Sequence, residues 1–72
     1  MTGKELLQRL KRLARERALH LQLVKERGKG SHSTLYLDGK HTILKDRRKE
    51  IGPGLLHKML ADLGVKKSDI ER

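Results

Sequence analysis

The chain has 72 residues, with 18 Lys and Arg against nine Asp and Glu, a formal net charge of +9, no cysteine and one aromatic residue, Tyr36. That length admits one domain, 1–72, of a size at which core burial is marginal, and the lack of cysteine excludes disulfides and thiolate metal sites. No run approaches the roughly 18 apolar residues of a membrane span and the N-terminus lacks a signal-peptide core, so a soluble, cytoplasmic protein with no membrane partner is expected. So large an excess of one sign costs self-repulsion, and it points to an anionic partner, of which nucleic acid is the commonest.

Thr2 with Glu5 forms a capping box, and Leu6, Leu7, Leu10, Leu13 and Ala14 follow at helical spacing, which predicts a helix from about Gly3 to Arg17. Lys4, Arg9, Lys11, Arg12 and Arg15 form its basic outer face, with Glu5 and Arg9 as an i,i+4 pair. The period then shortens to two. Leu19, Leu21 and Leu23 alternate with His20, Gln22 and Val24 in a first strand. Gly28 and Gly30 permit a turn, and a second strand is expected over about Ser31 to Leu37.

Asp38-Gly39 signals a two-residue type I′ hairpin into a third strand, about Lys40 to Lys45. After a charged loop, Pro53 suits the first turn of a helix whose apolar face is Leu55, Leu56, Met59, Leu60 and Leu63. Gly64 closes it, with Val65 as the hydrophobic contact, and the tail adds one turn capped by Ser68. The order is α-β-β-β-α. The economical packing is an α+β fold, a three-stranded antiparallel sheet with both helices on one face.

The hairpin fixes a register. Leu37 pairs with Lys40 and Tyr36 with His41, so Leu35, Leu37 and Leu44 share the core face. His32, Thr34, Tyr36, His41 and Ile43 share the other. His32 and His41 are then about 13 Å apart at strand rise, too far to ligate one metal ion. His20 and His57 lie in other elements and read as exposed polar residues.

His32 differs by its neighbours. It follows Gly28 and Gly30, where backbone N–H groups can approach a phosphate closely, with Lys29 beside it and Lys45 across the strand pair. A histidine can serve as acid or base near neutral pH, and RNA supplies its own nucleophile in the 2′-hydroxyl. On composition alone, a plain strand histidine after a glycine turn is the favoured reading.

The segment "GKGSH", a following hairpin and "KEIGPGLLHKMLADLGV" together make the chain resemble HicA-type toxins, small mRNA interferases of toxin–antitoxin modules. Gly30-Ser31-His32 matches the family's G-S-H motif, while Lys49-Glu50-Ile51-Gly52 with Gly54-Leu55-Leu56 matches its K-E-L-G-x-G-L-like segment, and Leu63-Gly64-Val65 its helix end. The resemblance covers nearly the whole chain. It implies a fold similar to a double-stranded RNA-binding domain and RNA cleavage by His32 without metal or other cofactor. It also implies a HicB-type antitoxin as partner, which covers the site and supplies any DNA contact. Lys29, Ser31 and Lys45 would then hold the phosphate, with Gly30 in the motif, and Arg27, Arg47 and Arg48 would add broader affinity for mRNA. The chain departs from the family where Leu19 and Leu21 replace an early aromatic. Thr42-Ile43-Leu44-Lys45-Asp46 also lacks the usual proline and the histidine after it. The alternative is a non-catalytic module binding double-stranded RNA or the ribosome, for which the same charge suffices and His32 has no task. No helix-turn-helix pattern supports direct DNA binding.

Overall fold

A computed structural model describes residues 1–25 and 32–71 of the chain. The first element is α1 (Gly3–Arg17), opened by the expected capping box. The Thr2 hydroxyl accepts the Glu5 N–H at 3.2 Å and the Glu5 carboxylate accepts the Thr2 N–H at 3.1 Å. Leu6, Leu7, Leu10, Leu13 and Ala14 form its buried stripe. The helix ends as Ala18 turns left-handed (φ 54°, ψ 42°) and the Leu19 N–H bonds to the Ala14 carbonyl at 2.8 Å.

Three strands follow in an antiparallel meander: β1 (Leu21–Lys25), β2 (Ser33–Leu37) and β3 (Lys40–Leu44), with β2 in the middle. Leu19 precedes β1 and packs half-buried against the core. The β2–β3 register is the expected one, with Leu37 opposite Lys40 and Tyr36 opposite His41. Both turn residues adopt the positive φ that a type I′ turn needs, 51° at Asp38 and 89° at Gly39. Each strand is shorter than expected where it meets the loops. β2 begins at Ser33, leaving His32 just before it, and β3 stops at Leu44 because the chain turns at Asp46.

Pro53 opens α2 (Pro53–Leu63), and Gly64 closes it at φ 70° as the expected left-handed cap. A single further turn, α3 (Lys67–Ile70), completes the order. Its cap corrects the expectation of Ser68, which lies inside the turn. The Lys66 N–H donates to the Asp69 carboxylate at 3.0 Å instead, a side chain placed three residues on. The turn docks on α1 through the fully buried Ile70, an Arg17–Asp69 ion pair at 2.7 Å and an Arg9 guanidinium bond to the Ile70 carbonyl at 3.0 Å. Arg9 therefore leaves the solvated face assigned to it and sits half-buried.

The core is one-sided. Leu6 and Leu10 of α1, Leu35, Leu37 and Leu44 of the sheet, Met59 of α2 and Ile70 of α3 are its largest fully buried side chains. A leucine buried this completely contributes roughly 1.5–3 kcal/mol. Both long helices bury their apolar stripes in this core, except that Leu55 of α2, expected in its stripe, is exposed at the start of the helix, and the other sheet face has no helix on it among the described residues.

Candidate functional site

Strand pleating sorts the sheet residues into two sets. Leu21 and Leu23, Ser33, Leu35 and Leu37, and Thr42 and Leu44 belong to the helix-covered face. Gln22, Val24, Thr34, Tyr36, His41 and Ile43 belong to the open one. Val24, Tyr36 and Ile43 are among the few large apolar side chains left exposed, at 40%, 39% and 46%. Thr34, on the central strand between Val24 and Ile43, is nevertheless buried.

His32 and Lys45 stand one residue beyond paired Ser33 and Leu44. Carried one step further, the alternation assigns both to the open face, at the end opposite the hairpin. His32 is half-buried and Lys45 exposed. The same extension of the register sets the expected catalytic residue, His32, across from one expected phosphate-holding residue, Lys45. Arg27, Lys29, Gly30 and Ser31 lie outside the described residues.

Arg47 and Arg48 follow in a loop shaped by Asp46. The Asp46 carboxylate accepts the Arg48 N–H at 3.0 Å and its Nε at 3.4 Å, while its carbonyl accepts the Lys49 N–H at 3.2 Å. The two bonds from Arg48, its backbone N–H first, hold the Asp46 carboxyl below the usual carboxylate range. The Arg48 side chain projects 90% exposed. Arg47 has a second task, since its carbonyl accepts the Lys4 N–H at 2.9 Å and so satisfies a donor in the first turn of α1. The Ile51 N–H reaches the Met1 carbonyl at 2.8 Å, Thr2 bridges to Glu50, and the N-terminal ammonium pairs with the Glu50 carboxylate. The basic loop is therefore strapped to the start of α1 through backbone bonds that local sequence patterns do not reveal.

A cleft of about 210 Å³ adjoins this loop, with Ile43, Leu55 and Met59 as its apolar wall and Lys45 and Lys49 at its rim. A second polar cluster, missed in the sequence, lies between β3 and α2. The buried Thr42 hydroxyl donates to Asp62 at 3.0 Å and Lys58 reaches the same carboxylate at 3.1 Å. Those two bonds, Lys58 first, pull the Asp62 carboxyl below its ordinary value. The one local signal for this cluster is the i,i+4 spacing of Lys58 and Asp62. Among the described residues no three His, Asp or Glu side chains gather in a metal-binding cluster. Nor is any helix among them long and apolar enough to cross a membrane. His20 is exposed in the connection just before β1 rather than within the strand, and His57 of α2 is exposed on the rim of a groove between that helix and the tail.

Compared with known proteins, the chain matches no family model, no curated protein and no solved structure.

Proposed function

We propose that this chain is a metal-independent endoribonuclease of the HicA toxin type, acting on mRNA in the cytoplasm and silenced by a HicB-type antitoxin. The observation that carries this reading is a β2–β3 register that ends at Ser33 and Leu44, one residue short of His32 and Lys45, on a sheet whose other face takes the buried stripes of both long helices. The α-β-β-β-α order is the one the resemblance implies.

In the proposed reaction His32 takes the proton of a ribose 2′-hydroxyl as the 2′-oxygen attacks the adjacent phosphorus. The 2′-O–P bond forms, the P–O5′ bond breaks, and a proton passes to the departing 5′-oxygen. One fragment ends in a 2′,3′-cyclic phosphate and the other in a 5′-hydroxyl. Charge gathers on the non-bridging oxygens, where a lysine ammonium stabilises the transition state more than the ground state. Lys45, with Lys29 and Ser31, is assigned that part. Arg27, Arg47 and Arg48 extend the contact along the phosphate backbone and give affinity without sequence choice. The +9 charge suits both RNA and an acidic antitoxin surface, so the two would compete for one site.

The test is cleavage of a long RNA in EDTA by the wild type and by His32→Ala. Loss of the histidine is expected to slow cleavage by about 10²–10⁴-fold, the usual contribution of a general acid–base group, with RNA affinity largely kept. Equal cleavage by the two proteins would remove His32 from the chemistry. Binding without cleavage by either would make the chain an RNA-binding module.

A further inference from the structure

The open sheet face is organised in rows. Gln22, Tyr36 and His41 lie side by side across β1, β2 and β3, and the next row is Val24, Thr34 and Ile43. Extended by one residue past the last paired positions, the register assigns His32 and Lys45 to the row beyond. Tyr36, the only tyrosine in a chain with no Phe or Trp, is therefore placed mid-sheet, 39% exposed. Its ring lies 5.8 Å from that of His41, tilted by 37°. Val24 and Ile43 beside it are more exposed still.

This surface is poorly matched to phosphates, because Lys45 at its end is the only lysine or arginine among the described residues assigned to it. It is well matched to the flat faces of bases. In an RNA duplex those faces are stacked away and the groove shows edges, sugars and phosphates. Unpaired bases, in contrast, stack on aromatic side chains displayed by a sheet. The distance also fits. Tyr36 is four strand residues, about 13 Å, from His32, so a short stretch of single strand can reach from one to the other.

We propose that the open face binds single-stranded RNA, with a base stacked on the Tyr36–His41 pair and the phosphate backbone leading to His32 and Lys45. The Gln22 amide, opposite Tyr36, is placed to bond the edge of the stacked base. The backbone end of this assignment rests on the nuclease reading; the base stack does not. Specificity for unpaired substrate then comes from the face away from the helices, and the basic outer side of α1 contributes only unspecific attraction.

The experiment uses a 2′-O-methyl oligoribonucleotide, which lacks the nucleophile and so stays intact whether or not the chain is a nuclease. Its affinity is measured for the full chain, Tyr36→Ala and Tyr36→Phe, against a duplex of equal length, while the Tyr36 ring protons are followed by NMR. The expected result is that the wild type moves the ring signals upfield on binding the single strand, and that Tyr36→Ala loses about tenfold or more in affinity. Tyr36→Phe, which keeps the ring face, retains binding and controls for folding. Duplex affinity is unchanged by either substitution. Unmoved ring signals, equal affinity of Tyr36→Ala, or preference for the duplex would each overturn the proposal. So would failure to bind any RNA, which would leave the face to a protein partner. Stacking observed without cleavage of natural RNA would sustain this proposal and refute the nuclease.

Discussion

Ala18 ends α1 in a conformation that suits glycine better, φ 54° and ψ 42°. Left-handed backbone costs a residue with a Cβ roughly 1–2 kcal/mol, partly offset because glycine has more freedom to lose on folding. Ala18→Gly is expected to raise stability by about 0.5–1 kcal/mol, read as a higher urea midpoint with an unchanged slope. No sequence signal marks this position, since alanine is the commonest helix former and a poor sign of a stop. Asp38-Gly39 is the opposite case. There the turn demands positive φ at two adjacent residues, and the residues that tolerate it announce themselves. From that one turn the side assigned to Tyr36, His41 and Ile43 follows, which is why half of the candidate face is legible in the sequence. The Lys66 cap was not, because a carboxylate three residues downstream did the work expected of Ser68.

At the scale of elements, the start of α1 and the basic loop depend on each other. Gly3 is buried, and a Cβ there would lie 2.9 Å from the Arg47 Cα and 3.1 Å from a Leu44 methyl. Helix propensity alone favours alanine over glycine by about 1 kcal/mol. The clash is with backbone, which cannot swing aside like a long side chain, so sterics should win. Gly3→Ala is expected to lower the melting temperature, and the displaced loop should show as shifted amide resonances at Arg47, Arg48 and Lys49. A higher melting temperature would mean that the loop yields freely. The helix and strand periods revealed each element by itself, and the hairpin revealed one pairing. The strap joins residues nearly 50 apart through backbone groups, and backbone hydrogen bonds leave no imprint on side-chain identity.

For the whole molecule the scarce carboxylates matter as much as the abundant cations. Glu5 closes the α1 cap, Asp46 shapes the basic loop, Asp62 joins β3 to α2, and Asp69 ties α3 to α1. Hydrogen bonds and neighbouring cations lower the pKa of all four. A group whose folded pKa lies below its unfolded value stabilises the fold above the unfolded pKa and loses that contribution as pH falls through the folded one. Protonating them also removes four of the nine acidic charges that offset 18 basic ones, raising the net charge further above +9. Thermal stability is therefore expected to decline as pH drops below about 4. Added salt should recover part of the loss by screening repulsion. A melting temperature unchanged from pH 5 to pH 3 would show that these joints are dispensable.

The one-sided core has a consequence for how such a chain can change. Along β2 the odd-numbered positions answer to the helices, and along β3 the even-numbered ones do. Apart from the buried Thr34, their neighbours are exposed to whatever approaches from outside. Positions such as Gln22, Tyr36, His41 and Ile43 can then be exchanged with little penalty to folding. A lineage could retune its target by altering every second residue of a strand, keeping the inherited scaffold intact beneath.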